Sequence, residues 1–218
     1  MRRSLVLGAA GFGAAAVAGA AMFLTGGAAP EAAQVARVTP APGDPLTPDE
    51  VRRAGEIAGA SSRAHMAAGR VELLYVERDD DKAAEPNRRA EAYLYDYAED
   101  AVIVRTVDLG RGTVVRESKG TGVQPPPSKR EEVRAAELLL AHPKLGKGVR
   151  SEFRKAAGRE LRSAADLSLR GLIFRDKQGA CRTHRCVRLF VRLPDGRFLD
   201  TSRIVVDLSA KTVHILEW

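Results

Sequence analysis

The sequence predicts an α+β fold made of two tandem units, each with a helix and about four antiparallel strands. Three observations predict it. Capped helix starts at Thr47 and Ser128 each come before a series of short, β-prone segments. Turn residues separate those segments in both halves. The motif Val-Asp-Leu, followed after three residues by Thr-Val, occurs at 107–114 and again at 206–213. Matching order and spacing indicate an internal duplication.

The first unit starts with a helix that is predicted from Thr47 to about Ala67. Thr47 is a good N-cap, Pro48 suits the first helical position, and Glu50 completes a capping box. Four strand regions are predicted after this helix, at 71–77, 93–97, 102–107 and 113–117.

Three tyrosines alternate along the second of these strands. Tyr93, Tyr95 and Tyr97 therefore share one face of the predicted sheet. This pattern is typical of packing under a helix, and it is also compatible with a stripe of binding residues.

The second unit starts with a helix capped by Ser128 and Glu131, which His142 and Pro143 end. A further helix is predicted at about 147–161. The strands are predicted at 167–174, 187–193, 198–208 and 212–216, with a hairpin turn at 194–196. The repeated motifs lie 99 positions apart but the helix caps only 81, so about 18 extra residues are expected between the helix and the first strand of this unit.

The N-terminal segment, residues 1–28, has the pattern of an export signal. Arg2 and Arg3 come just before an uncharged run rich in alanine and glycine, which resembles a twin-arginine signal for proteins exported already folded. An uncleaved membrane anchor is the alternative, because about 20 apolar residues can span a bilayer. Residues 29–45 are rich in alanine and proline and are predicted to form a flexible linker. We therefore expect an extracytoplasmic location in a bacterial cell envelope or in the medium.

The composition limits the classes of function. A chain of 218 residues has room for one or two domains and not for a large multidomain enzyme. Aromatic residues make up only 5% of it, which disfavours a platform for stacking nucleic-acid bases. Removal of residues 1–28 lowers the net charge from +7 to +5, so charge alone is a weak argument for a polyanionic partner.

Several stretches of the chain are similar to one known family. They are Pro-Leu-Thr-Pro-Asp-Glu-Val at 45–51, the Val-Asp-Leu motif at 107–114, Gly-Val-Gln-Pro-Pro at 122–126, the helix at 131–140 and His-Pro at 142–143. They resemble the second N-terminal domain of copper amine oxidases and its junction with the third, over about residues 45–150. Those domains are α+β units of cystatin-like shape. The resemblance implies that residues 46–124 and 125–218 are two such units.

The resemblance does not extend to the catalytic residues of that family. The family's catalytic domain carries a tyrosine in an Asn-Tyr-Asp/Glu setting, which becomes a quinone, and three histidines that bind copper. In this sequence no tyrosine follows an asparagine, and no two histidines form a His-x-His pair. The histidines are His65, His142, His184 and His214. We therefore expect no catalytic residue, no metal or quinone cofactor, and no enzymatic activity.

Two cysteines form the most specific local pattern. Cys181 and Cys186 lie five residues apart, with one in a loop and the other at a strand start, and in an oxidising compartment they are expected to form a disulfide. A loop this small contributes about 2 kcal/mol to stability. Two alternatives stay open at this point, unpaired thiols and a soft-metal site that also uses His184.

Two charged segments have less specific patterns. Asp79, Asp80, Asp81 and Glu85 could bind calcium, but they lack the ligand spacing of a calcium loop, and a solvated hairpin tip is the simpler interpretation. A basic region runs from 144 to 162, and acidic residues interrupt it, which favours a solvated helix face over a site for polyanions.

These observations lead to three functional hypotheses. The first is an exported, non-catalytic binding or accessory protein that offers a sheet edge or face to a protein or peptide. The second is a detached N-terminal part of an amine oxidase system, whose partner would be an exported oxidase. The third is metal handling outside the cytoplasm. We expect no nucleic-acid partner, and membrane contact only through an uncleaved signal segment.

Overall fold

The computed structural model describes residues 40–41, 43–81 and 87–217. In this part of the chain four α-helices accompany two four-stranded antiparallel sheets, which confirms the predicted α+β class and is consistent with a cystatin-like pattern. From Pro40 onward the chain forms one compact unit. The predicted signal at 1–28, with Arg2 and Arg3, lies outside the described residues, as does most of the predicted linker at 29–45. The predicted boundary between 124 and 125 stays a prediction.

The first half follows the order that the sequence predicts. Its elements are α1 (Pro48–Gly59), α2 (Arg63–Ala67), β1 (Val71–Arg78), β2 (Arg89–Asp96), β3 (Ala101–Asp108) and β4 (Thr113–Thr121). The four strands form one sheet in the order β1-β2-β3-β4. The predicted capping box is present, since Thr47 Oγ1 accepts from the N–H of Glu50 and the N–H of Thr47 donates to Glu50 Oε2 at 2.8 Å.

The predicted single helix at 47–67 is interrupted by a 3-10 turn, Ala60–Ser62. Arg105 on β3 donates from Nη1 to the backbone carbonyl of Ala58 and, at 3.0 Å, to Ser62 Oγ. The carbonyl of Ala58 thus has a side-chain partner where the α-helical ladder stops. Because this partner comes from β3, the helix sequence alone does not predict the interruption.

The second half repeats the plan with one more helix. Its elements are α3 (Lys129–Ala141), α4 (Leu145–Ala157), β5 (Ser168–Phe174), β6 (Cys186–Arg192), β7 (Ile204–Asp207) and β8 (Thr212–Ile215). The strand order is β5-β6-β7-β8. Helix α4 lies between α3 and β5, where the extra residues are expected. It ends at Gly158, whose φ of +66° is left-handed, and so it is shorter than predicted.

Several predicted strand boundaries are wrong; β2 begins four residues earlier and β4 ends four residues later than predicted. The prediction of one strand over 198–208 fails because Asp200 Oδ1 accepts from the N–H and the hydroxyl of Ser202, and this turn leaves only β7 in the ladder. Phe198 forms an isolated bridge with Arg192. Tyr97 lies in the turn after β2 and not within the strand.

Each sheet has one face under a helix. Ala54 and Ala58 of α1 are fully buried against the first sheet, in a cluster with Leu94 of β2. On the second sheet α3 buries Ala135 and Leu139, in a cluster that also contains core residues of β6 and β7. That second cluster extends to Tyr95, Tyr97 and Val102 of the first half, so the opposite face of the first sheet packs against the second half.

The repeated sequence motif has one geometry in both halves. Asp108 and Asp207 each accept, on Oδ1, a hydrogen bond of 2.8 Å from the backbone N–H three residues later. The next residue has a left-handed backbone in both turns, with φ of +70° at Gly112 and +57° at Lys211. The repeated sequence motif therefore forms the same type of hairpin twice, between β3 and β4 and between β7 and β8.

A second repeated feature, which we name the arginine clamp, joins each capped helix to its sheet. Arg88, just before β2, donates from Nε and Nη2 to the two carboxylate oxygens of Glu50, at 2.9 and 2.8 Å. Arg185, just before β6, makes the same bidentate pair with Glu131, at 2.8 Å for both bonds. Both glutamates are the capping-box residues of their helices.

The two clamps also hold the chain that leads into each helix. Arg88 donates to the carbonyl of Pro45, and Arg185 to that of Pro125, at 2.7 Å in each case. They differ in burial. The side chains of Arg185 and its glutamate are 0% exposed, whereas those of Arg88 and its glutamate are 13% and 20% exposed. In the first clamp Arg88 lowers the pKa of Glu50 to about 2.

We predict that Arg185→Met lowers the free energy of unfolding by about 3–5 kcal/mol, because it leaves the carboxylate of Glu131 buried and unpaired. The matched variant Arg88→Met should cost less than half as much, since water reaches Glu50. Urea unfolding followed by circular dichroism measures both losses. Equal losses would show that burial of the clamp does not govern its contribution, and adding Glu131→Leu to Arg185→Met should recover part of the loss.

Candidate functional site

An apolar groove lies between the helices of the first half and strand β1. Its volume is about 660 Å³. The lining is largely apolar and includes Val51, Met66, Ala67, Leu73 and Val76. An extended segment with apolar side chains fits such a lining.

Two glycines of α1 line this groove and let the helix approach Leu73 and Met66 closely. A Cβ at Gly55 would lie 2.7 Å from Cδ2 of Leu73, and one at Gly59 would lie 3.1 Å from Sδ of Met66. A larger residue at Gly55 would push the helix away from β1. The sequence contains one signal of the groove, the spacing of two glycines four residues apart on a helix, and no groove was predicted from it.

Strand β1 forms the floor of the groove and an edge of its sheet. Among the described strands it pairs only with β2. Its other edge therefore presents backbone N–H and C=O groups that another extended chain can pair with. On the rim, Arg52 pairs with Asp49 and Glu56, while Arg63 is exposed and makes no ion pair with any residue that the structure describes.

The predicted tyrosine stripe lies on the face of the first sheet opposite α1. Tyr93 stacks on Tyr75 with ring centroids 4.5 Å apart, and Tyr95 is fully buried. The hydroxyl of Tyr97 donates to Glu131 Oε1 at 2.9 Å. Burial, with nearby carboxylates, raises the pKa of Tyr93, Tyr95 and Tyr97. These phenols stay protonated, and two of them join the halves of the chain.

Cys181 and Cys186 form a disulfide in the structure, with the two Sγ atoms 2.07 Å apart. Both residues are buried, in a small cluster with Val205 of β7. Asp207 lies close enough to form a three-residue group of possible metal ligands with these cysteines. Because the two sulfurs are bonded to each other, neither is available as a thiolate ligand.

His184 lies between two aspartates and not at the disulfide sulfurs. Its Nδ1 is 2.7 Å from Asp207 Oδ2, and its Nε2 is 3.9 Å from Asp100 Oδ2. The hydrogen bond with Asp207 raises the pKa of His184. Nε2 of His214 is 3.8 Å from the same Asp207 oxygen. Two histidines that are 30 positions apart in the sequence thus meet at one carboxylate.

The acidic loop and the basic region predicted from the sequence do not line the groove. In the acidic loop, Asp79 Oδ1 accepts from the N–H of Asp81 at 3.0 Å, and Asp80 pairs with Arg78. Glu85 lies outside the described residues. The basic region carries local ion pairs, as predicted for a solvated helix face; they are Arg154–Glu160, Lys155–Glu152 and Arg159–Asp166.

No helix in the described ranges has both the length and the apolar character needed to cross a bilayer.

The fold is thus that of an α+β protein with two four-stranded antiparallel sheets. No family model and no curated protein matches the sequence. Among solved structures, the chain is similar to a copper-containing benzylamine oxidase from Hansenula polymorpha, with a TM-score of 0.50 and 12% sequence identity. The similarity covers 82% of this chain but only 30% of the oxidase chain. At this identity it is a similarity of fold, at which level it agrees with the resemblance to copper amine oxidases.

We predict that His184 stabilises the fold in a pH-dependent way. Because folding raises the pKa of His184, this side chain stabilises the folded state fully below its ordinary pKa of 6.5. The stabilisation is lost as the pH rises through the folded-state pKa. The free energy of unfolding of His184→Gln should therefore be lower than that of the wild type at about pH 6, and the two values should converge at about pH 9. Urea unfolding at both pH values checks this, with His65→Gln, at an exposed position, as the control. A difference that grows with pH would contradict the prediction.

Proposed function

We propose that the chain is an exported, non-catalytic binding protein built of two tandem modules that resemble the N-terminal domains of copper amine oxidases. In each module a capped helix lies over a four-stranded antiparallel sheet. The observation that carries the binding role is the apolar groove beside the free edge of β1.

The tandem-module interpretation is supported by features that recur in both halves. The aspartate hairpins at 108 and 207 have the same hydrogen bond and the same left-handed residue. The arginine clamps at 88 and 185 use the same atoms of arginine and glutamate. A hairpin alone recurs often in unrelated proteins. A hairpin and a clamp in the same order along the chain favour duplication of a whole module.

Export is supported by two independent features. Arg2 and Arg3 before an uncharged run resemble a twin-arginine signal. The disulfide between Cys181 and Cys186 is typical of oxidising compartments outside the cytoplasm.

The partner that fits the groove is an extended segment of another protein. Backbone pairing with β1 would supply affinity, and alternate apolar side chains of the segment would enter the groove. Arg63 on the rim has no described ion partner, so a carboxylate on the segment would complement it. Two polar side chains of the lining already have partners, since Glu56 pairs with Arg52 and Tyr75 stacks on Tyr93. The lining therefore favours a binding role over a catalytic one.

We predict that Ala67→Trp, which fills the groove, weakens binding of an extended peptide at least tenfold, about 1.4 kcal/mol. The probe is a labelled seven-residue peptide that alternates valine with threonine and ends in aspartate, measured by fluorescence anisotropy. The matched control is Ala64→Trp, at an exposed position of α2 that does not line the groove. Equal weakening by both variants, or no binding by the wild type, would remove the groove as the site. Arg63→Gln should abolish any preference for the aspartate peptide over its asparagine counterpart.

A second candidate function is that of an accessory chain in an amine oxidase system. The similarity to part of a benzylamine oxidase favours it. In this case an exported, copper-containing oxidase would be the partner, and this chain would supply no reacting group.

The second candidate predicts that the chain copurifies with an oxidase when it is isolated from the envelope or secreted fraction of its source. The isolated complex should release peroxide from benzylamine, and the purified chain alone should release none. Absence of both an oxidase and peroxide release would dismiss this candidate without affecting the groove.

A further inference from the structure

The second sheet has an outer face on which arginines alternate with large apolar side chains. The strand register places them in cross-strand pairs, because directly opposite residues of antiparallel strands point to the same face. The pairs are Arg192 with Phe198, Arg170 with Phe190, and Arg188 with Leu172. We name these six residues the arginine–apolar ladder. The inner face, toward α3, carries the buried Val187, Leu189 and Val191 instead.

The apolar members of the ladder are exposed to solvent. The exposed fraction is 59% for Leu172, 40% for Phe190 and 63% for Phe198. Three large apolar side chains on one sheet face are more than isolated surface residues, and such clusters mark interaction surfaces.

Of the ladder arginines, Arg170 and Arg192 are exposed and Arg188 is half-buried. None of Arg170, Arg188 and Arg192 makes an ion pair within the described part of the chain. The guanidinium of Arg188 lies 5.0 Å over the ring of Phe174, and its buried Nε has no hydrogen-bond partner in the structure. The surface therefore has positive charges that the fold itself leaves uncompensated.

The equivalent face of the first sheet is used differently. Counted from the clamp arginines, Tyr93 and Tyr95 on β2 occupy the positions of Phe190 and Arg192 on β6. Tyr95 is 0% exposed because that face packs against the second half of the chain. The second sheet carries an arginine at the position of this buried tyrosine. The ladder is thus a charged surface at a place where the first half has an apolar contact.

We propose that the arginine–apolar ladder is a docking surface for an anionic lipid bilayer. Arginines near an anionic membrane surface contribute binding energy through the phosphate groups, and exposed phenylalanine and leucine side chains insert at the boundary with the acyl chains. An acidic protein is the alternative occupant, and the vesicle test below separates it from a bilayer. The sequence predicts membrane contact only through the N-terminal segment, and the ladder adds a second contact that lies on the folded part.

The first test measures binding of the full chain to vesicles of phosphatidylglycerol and phosphatidylcholine by cosedimentation. The wild type should bind more tightly as the fraction of phosphatidylglycerol increases. Salt should reduce this gain in affinity. The double variant Arg170→Gln, Arg192→Gln should lower the affinity for phosphatidylglycerol vesicles about 30-fold, since two of the three ladder cations are lost. The control is Arg53→Gln with Arg130→Gln, which removes the same charge from exposed positions of α1 and α3.

The outcomes of this test are distinct. Equal weakening by the two double variants would mean that net charge acts and not the ladder, and would overturn the proposal. Binding that is independent of phosphatidylglycerol, together with ladder-dependent binding to poly-glutamate, would point to an acidic protein and would also overturn it. The N-terminal segment, with Arg2 and Arg3, is the same in all variants, so its contribution cancels in the comparison.

The second test locates the ladder at the membrane directly. Phe198→Trp, made together with Trp218→Phe, gives a single fluorophore on the ladder. Brominated lipids in phosphatidylglycerol vesicles should quench it. The matched control, Val115→Trp in the same background, places the fluorophore at an exposed position of β4 and should not be quenched. Equal quenching at both positions, or quenching at neither, would contradict insertion of the ladder.

Discussion

The arginine clamp is the interaction on which the arrangement of each half depends. One guanidinium ties the capping-box glutamate of a helix to the start of the second strand and to the chain that enters the helix. In the second half the pair is fully buried, and the arginine also lies 4.8 Å over the ring of Tyr95 from the first half. A buried bidentate pair tolerates little displacement, so it fixes the helix, the strand and the junction together.

The two halves share this plan but differ in what their outer sheet faces contact. The first sheet is covered on both faces, by α1 on one side and by the second half on the other. The second sheet has α3 on one face, and its other face is covered where Cys186 and Val205 pack with Cys181 but carries exposed arginines and apolar side chains elsewhere. The same architecture thus provides a core element in one half and a surface in the other.

The polar groups at the end of the second sheet are bound to the backbone and to one another. The carboxylate of Asp207 bonds to the backbone of its own hairpin and to His184, which faces Asp100 from the first half. The disulfide closes the loop next to this group. These contacts stabilise the junction, and the binding hypotheses rest instead on the groove beside β1 and on the outer face of the second sheet.

The sequence by itself determined the α+β class, both capped helices, most strands and the repeated hairpins. These features depend on local patterns such as alternation, capping boxes, turn residues and close spacing, which are readable along the chain. Only the tertiary structure decided the groove, the arginine clamps and the meeting of His184 with Asp207. Each of these joins residues that are distant in sequence, and no local pattern specifies which distant side chain will lie opposite. The turn at Asp200 and the break at Ala60 were missed because side-chain hydrogen bonds there overrode strand and helix propensity.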